Sequence, residues 1–313
     1  MSFSLAASGE AFISRDQNPL AMIHGLPFPV SAVLPEAGNL DWSASYNITN
    51  TLNVENSATE SIFLDYESHE FIASMRYGLV NTWALRLDIP LIYYGPGYLD
   101  NAVDSWHRAF GLPRGIRPSY PDNSFGLNYQ NNTAMVVDID KANSSLADIQ
   151  LGIGKQLFST ADHAASLWLT ADLPTGDLQS LTGSNNTDFI MQLAYQRRLA
   201  SSWLVDASLA LTLPGDARLN SAVIASHFWS AAGGVEWRAH RLFAVRVQLN
   251  GHSDIYPDSA LKILGSNYQL VFGGRAQLDA CTALDIAVNE DIKTSASPDF
   301  SLAFSYRRLS TCK

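Results

Sequence analysis

The chain has 313 residues, 16% charged and 47% hydrophobic, with a formal net charge of -10 from 20 Lys plus Arg against 30 Asp plus Glu. A soluble domain carries about 25% charged residues, and a nucleic-acid partner calls for clustered positive charge, so the acidic balance excludes nucleic acid. No run of about 18 consecutive apolar residues occurs, which excludes a transmembrane helix; a membrane protein of this sequence has to be a closed barrel.

The chain begins "MSFSLAASGEAF", with neither a basic region nor a long apolar one, so an intact signal peptide is not expected and an exported form is the mature chain with Met1 added. The segment from about 10 to 38 is a poor strand because of Pro19, Pro27, Pro29 and Pro35. Its Leu20, Met22, Ile23, Leu26, Phe28 and Val30 are too apolar to stay in water. It either folds up into a lumen as a plug or packs beneath the barrel, which divides the chain into an N-terminal segment, 1–38, and a barrel, 39–313.

Alternation of period two then sets in. It predicts strands over 40–53, 60–79, 82–94, 146–158, 164–175, 187–199, 202–213, 226–239, 242–254, 267–279, 282–293 and 299–308. These number about 12, an even count of roughly ten-residue segments, as an up-and-down antiparallel transmembrane β-barrel requires. In 71–94, Phe71, Ala73, Met75 and Tyr77, then Trp83, Leu85, Leu87, Ile89, Leu91 and Tyr93, share one face. Ser74, Arg76, Arg86 and Asp88 take the other. Every second connection is very short, as at Val80-Asn81, Ala200-Ser201, His240-Arg241 and Ala280-Cys281, while the others are long. Short periplasmic turns facing long outer loops belong to outer-membrane barrels, whereas a soluble sandwich has no reason to segregate its loops. Aromatic residues gather at both ends of the apolar faces as two girdles: Trp42, Trp83, Trp203, Trp237, Phe243 and Tyr306 near the short turns, Tyr93, Phe189, Tyr268 and Phe300 near the long loops.

Parity points Arg76, Arg86, Asp88, Asp206, Arg246, Arg275, Asp285 and Asp291 into the lumen, along with Asp41, Asp148, Asp172, Arg198, Glu236, Arg238 and Arg307. Mixed signs predict paired charges that fill a lumen; a ring of one sign would predict ion selectivity. In the long loop 95–145, Leu99, Val103, Trp106 and Phe110 recur at helical spacing before Gly111 and Pro113, so a short amphipathic helix is expected. Asp104, Trp106, His107 and Phe110 then stand at the pore mouth as a constriction or ligand contact, or belong to a simple extracellular cap. A hairpin turning at Asn131-Asn132 follows. Cys281 and Cys312 come to the same periplasmic edge, where a disulfide closes the C-terminal tail or both thiols stay free.

Enzyme chemistry has no visible residues. No histidine is followed by Ser two places on, no two have the spacing that binds zinc from one helix face, and no P-loop exists, so no catalytic residue, cofactor or metal is expected.

The segments "RDQNPLAMIHGLP", "SMRYGL", "GYLDNAVDSWHRAFGLP", "LADIQLGIGKQL", "ADLPTGD" and "NEDIKTSASPDFSLAFSY" resemble a family of uncharacterised bacterial outer-membrane barrels grouped as a domain of unknown function. The resemblance implies the fold and the outer membrane and brings no established activity. "QNPL", with Asn18 and Pro19, is similar to the hatch motif of hydrophobic-compound transporters of the fatty-acid channel type. "FSLAFSYRRL" resembles the C-terminal signature read by barrel-assembly machinery, although the chain runs on to Lys313. The partners expected are therefore outer-membrane lipid, the assembly machinery and a small or hydrophobic solute. The function expected is a porin-like channel or transporter in a Gram-negative envelope, with access controlled by the N-terminal plug and the long loop. The alternative is a closed barrel whose acidic outer loops bind an envelope or surface partner.

Overall fold

The computed structural model describes residues 10–80, 82–111, 116–132, 134–216, 218–293, 298 and 300–310, without the side chains of Trp106, His107, Phe110 and Arg218. In chain order its strands are β1 (Leu40–Asn56), β2 (Glu60–Gly78), β3 (Trp83–Gly95), β4 (Gly126–Asn131), β5 (Ala134–Ile139) and β6 (Asn143–Leu146). They continue as β7 (Ile149–Ser159), β8 (His163–Leu173), β9 (Asp188–Ala200), β10 (Trp203–Leu213), β11 (Arg218–Leu219) and β12 (Ala222–Val223). The last are β13 (Phe228–His240), β14 (Phe243–His252), β15 (Asn267–Gln277), β16 (Thr282–Asp291) and β17 (Phe300–Arg308). Helix α1 (Pro19–Met22) precedes β1, and α2 (Asp100–Phe110) follows β3.

Twelve long strands close on themselves in the order β1, β2, β3, β7, β8, β9, β10, β13, β14, β15, β16, β17 and back to β1, antiparallel throughout. Closure leaves no ladder edge in hydrocarbon, the condition for a spanning sheet. The outward set of each strand is apolar and exposed: Trp203, Leu209 and Leu213 on β10, then Val245, Val247 and Leu249 on β14. The inward set on the same strands includes buried Thr212, Arg246 and Gln248. In the short-turn girdle the aromatic residues touch, with ring centroids of Trp42 and Tyr306 5.3 Å apart and those of Trp203 and Trp237 6.0 Å apart.

Three features go beyond twelve uniform strands. β1 and β2 run for 17 and 19 residues, longer than a tilted membrane strand of about ten needs. The upper part of β2 pairs with β4, and β4 with β5, so the hairpin turning through Asn132 (φ 49) extends the sheet past the long-loop end. β6 likewise pairs with the top of β3.

Residues 10–35 run inside the barrel as a loose hairpin. The first arm starts at the short-turn end, the bend at α1 reaches the long-loop end, and the second arm returns to β1. Two glycines make this possible. Gly25 bends the tip at φ +68, in the left-handed region. Gly154 leaves room on the inner wall for Trp168, whose ring lies 2.6 Å from where a Cβ would be. At the long-loop end Leu20, Met22 and Ile23 pack into one apolar cluster with Tyr66, Tyr94, Leu181, Tyr256 and Ile263.

Candidate functional site

The interior is built from two unlike halves. Toward the short turns it is a network of paired charges. Arg246 grips Asp206 with both terminal nitrogens, at 2.6 and 2.7 Å, across the intervening strand β13. Arg275 reaches Asp285 at 2.7 Å and Glu236 at 2.9 Å, and Arg307 reaches Asp285 at 2.7 Å. Arg86 pairs with Asp88 at 2.6 Å, and Asp88 also accepts from Ser74. Arg76 pairs with Glu10 and lies 3.5 Å from Asp41. Asp291 accepts the backbone N–H of Lys293 at the strand end. Charges of both signs within hydrogen-bond reach satisfy one another, and buried guanidinium–carboxylate pairs of this kind are geometrically demanding.

The N-terminal segment is threaded into this network by residues that parity alone does not point to. Glu10 also bonds Arg307 at 2.9 Å, and Arg275 donates to the Glu10 carbonyl. Burial pushes the Glu10 carboxyl up, but Arg76 and Arg307 outweigh it and hold it at about 2. Higher up, Arg15 pairs with Glu70 at 2.9 Å, Gln17 and Asn47 donate to the same carboxylate, and the Arg15 guanidinium stacks 3.9 Å from the Phe28 ring of the returning arm. Asp16 meets His252 at 2.9 Å. The returning arm is held by Ser166 and Trp168, which donate to the Ser31 carbonyl, and by Gln156, which donates to that of Ala32.

At the tip, Asn18 caps α1, its side-chain oxygen accepting from Leu20 N at 3.1 Å while its amide donates to the Ile263 carbonyl at 2.7 Å. Pro19 fills the first helical position, where no amide proton is needed. Tyr256 donates to the Leu20 carbonyl and stands 2.9 Å from His24 Nε2, so the neutral His24 supplies the proton of that contact. Burial alone pushes His24 down to about 3.

The long loop does not start over the lumen. Register pairs Asn50 with Glu67 and Glu67 with Gly95, all on the outward face. Tyr98 N and Leu99 N both donate to Glu67 at 3.1 Å, and Asn50 donates to Asp100 at 2.8 Å. Arg117 and the N–H of Asn123 close on Asp100 as well. The first turn of α2 is therefore anchored outside the wall of β1–β3, because that is where the buried carboxylates are. Asp104 pairs with Arg108 one turn on, at 3.5 Å. Below it, Tyr46 Oη lies 2.7 Å from His69 Nδ1 and His69 Nε2 3.0 Å from Glu67, giving an outward polar cluster where the alternation reading expects only apolar side chains.

Cys281 is disulfide-bonded, and Cys312, the other cysteine of the chain, lies outside the described residues. Among the described residues no group of three or more His, Cys, Asp or Glu side chains is arranged to hold a metal ion.

An outer membrane channel from Pseudomonas putida F1 is similar in structure, with a TM-score of 0.56 and 14% identity, over 88% of this chain and 97% of that one. The toluene transporter TodX of P. putida gives a TM-score of 0.43 at 12% identity, over 98% of both chains. The NanC porin gives 0.48 at 8%, over 87% of this chain and 99% of that one. At 14% identity the likeness to the P. putida F1 channel shows an outer-membrane type of barrel fold and no more. No curated protein sequence matches the chain. The model of the family described as "Protein of unknown function (DUF3187)" matches residues 5–308, and the chain belongs to that family.

Proposed function

We propose that the protein is a channel of the bacterial outer membrane for a small or hydrophobic solute, closed in this structure, with its N-terminal segment as the plug. The observation that carries this reading is what fills the barrel. Eight strands leave an interior that wall side chains alone can fill, and wider barrels leave more space. With twelve strands, the space is taken by a separate stretch of chain joined to the wall by hydrogen bonds and ion pairs. A lumen filled this way opens when the segment leaves.

The two halves suggest what leaves and what passes. The apolar contacts at the tip suit a solute with an apolar body, and the satisfied charges below present no ring of one sign to select an ion. Long-loop access involves α1 and the loops packed on it, whereas the first turn of α2 braces the outer wall.

Planar-bilayer recording of the refolded protein, with and without its first 38 residues, tests the proposal. The expected result is rare, small openings for the full chain and steady conductance for the truncated one. A truncated barrel that folds yet passes neither ions nor solute supports the closed interaction barrel instead.

A further inference from the structure

The loop 253–266, between β14 and β15, is held in three places that differ in kind. At its neck the two ends meet. Asp254 Oδ1 accepts the Ser266 N–H at 2.6 Å, and Ser253 exchanges hydrogen bonds with the Trp229 backbone. A loop closed in this way is a compact Ω-loop packed by its own side chains, and loops of that build are frequently functional.

The far side of the loop leaves its own hairpin. Glu60, at the start of β2, accepts the Ser259 hydroxyl at 3.1 Å and the Ala260 N–H at 2.8 Å on one oxygen, and the Tyr129 hydroxyl at 2.7 Å on the other. Glu55 of β1 accepts the Lys262 N–H at 2.6 Å. On the ring of twelve strands β2 stands four places from β15, so these bonds draw the loop across part of the mouth. The extra length of β1 and β2 is what puts the two carboxylates within reach.

Between neck and far side the loop faces the tip of the plug. Ile255, Tyr256, Leu261, Ile263 and Leu264 are buried in the same apolar cluster as Leu20, Met22 and Ile23. Tyr256 donates to the Leu20 carbonyl and meets His24, and Asn18 donates to the Ile263 carbonyl. Leu20 is fully buried, so the tip cannot be reached from outside while the loop is down. The side-chain bonds of Glu60 run to wall and loop, and that of Tyr256 to the segment. The body of the loop is therefore what joins them.

Resting on the channel reading above, we infer that loop 253–266 is a clamp on the plug: latched to Glu60 and Glu55 it holds the α1 tip in place, and released from them it hinges at Asp254 and Ser266 and frees the tip. A short neck at the root of an element is where a hinge of this kind sits. The loop is not itself the barrier; the segment is.

Hydrogen exchange followed by mass spectrometry, on the detergent-solubilised full chain, reads local opening of loop and tip separately. Glu60→Ala removes three acceptor contacts at the latch without touching the segment. The expected result is exchange at least tenfold faster both in 253–266 and in residues 20–24, with β8 and β9 as protected as in the native chain, and more frequent openings in a planar bilayer. Should that variant fail to fold, Ser259→Ala removes one contact from the loop's side, with a severalfold effect on the same two stretches. Tyr256→Phe should speed residues 20–24 alone. Faster exchange in the loop with the tip unchanged makes the loop a simple cap and overturns the inference. So does exchange that rises equally in β8 and β9, or in neither stretch. In the chain lacking its first 38 residues Glu60→Ala should leave conductance as it is, and a change there would make the loop itself the barrier, overturning the clamp. A truncated chain that conducts beside unlinked exchange sinks the clamp and leaves the channel. Linked exchange beside a truncated chain that does not conduct does the reverse.

Discussion

The two ends of the N-terminal segment are held by opposite physics. At the tip, Leu20, Met22 and Ile23 sit in an apolar cluster with loop residues, and the few polar contacts are neutral. At the foot, Glu10 lies among Arg76, Arg275 and Arg307, and the surrounding carboxylates share the same guanidinium groups. Shortening an apolar side chain costs in proportion to what is removed and strands no charge, whereas removing one partner of a buried ion pair leaves the other charge uncompensated. The difference teaches that the tip suits repeated release and the foot suits a fixed anchor.

The largest effect expected is at the foot. Arg275→Met leaves Glu236 without its guanidinium and takes one of two from Asp285, and breaking a buried pair in this way costs about 3–5 kcal/mol. Denaturant unfolding in detergent should show the loss for the whole barrel, and an unchanged midpoint breaks the contrast. At the tip, Leu20→Ala should weaken seating by about 3 kcal/mol while the barrel's own unfolding hardly moves, since Leu20 packs in the cluster between segment and loops. Its readout is the frequency of channel openings.

Acid sharpens the comparison. His24 stays neutral in place, pushed by burial from 6.5 to about 3. Once released it binds a proton more readily, so seating of the tip is full above pH 6.5 and weakens as pH falls toward 3. Glu10 is shifted from 4.5 to about 2, so its contribution is full above 4.5 and fades only below that, toward 2. Openings should therefore rise between pH 6.5 and 4.5 in the native chain, and His24→Gln should remove that rise. The smallest effect belongs outside: Asp104→Ala breaks an i,i+4 pair with the exposed Arg108, worth about 0.5 kcal/mol or less, and conductance should not change.

Strand parity was legible because a spanning strand has only two faces, and Trp83, Leu85, Arg86 and Asp88 each fall on the side that alternation assigns. Arg246 with Asp206, and Arg275 with Asp285, follow from the same rule once neighbours are known. What alternation could not show is contact between distant stretches. Arg15 with Glu70 and Asp16 with His252 depend on where the segment threads, which no local pattern encodes. A faint signal was present: Arg15, Asp16 and His24 are titratable residues within an apolar, proline-rich stretch, and such groups need partners when buried. The bracing of the outer wall by the first turn of α2 is hidden for a similar reason. Glu67 and His69 interrupt the apolar parity of β2, and that break marks wall covered by protein instead of lipid.

The central claim, that the segment must move for the barrel to conduct, is tested most directly by tethering it. Ser14 and Asn289 approach to 3.3 Å between segment and wall, so Ser14→Cys with Asn289→Cys can join them reversibly. The account predicts that oxidation silences the channel in a planar bilayer and that reduction of the new bond restores openings. Equal conductance in the two states, with the crosslink verified by mass spectrometry, would contradict it.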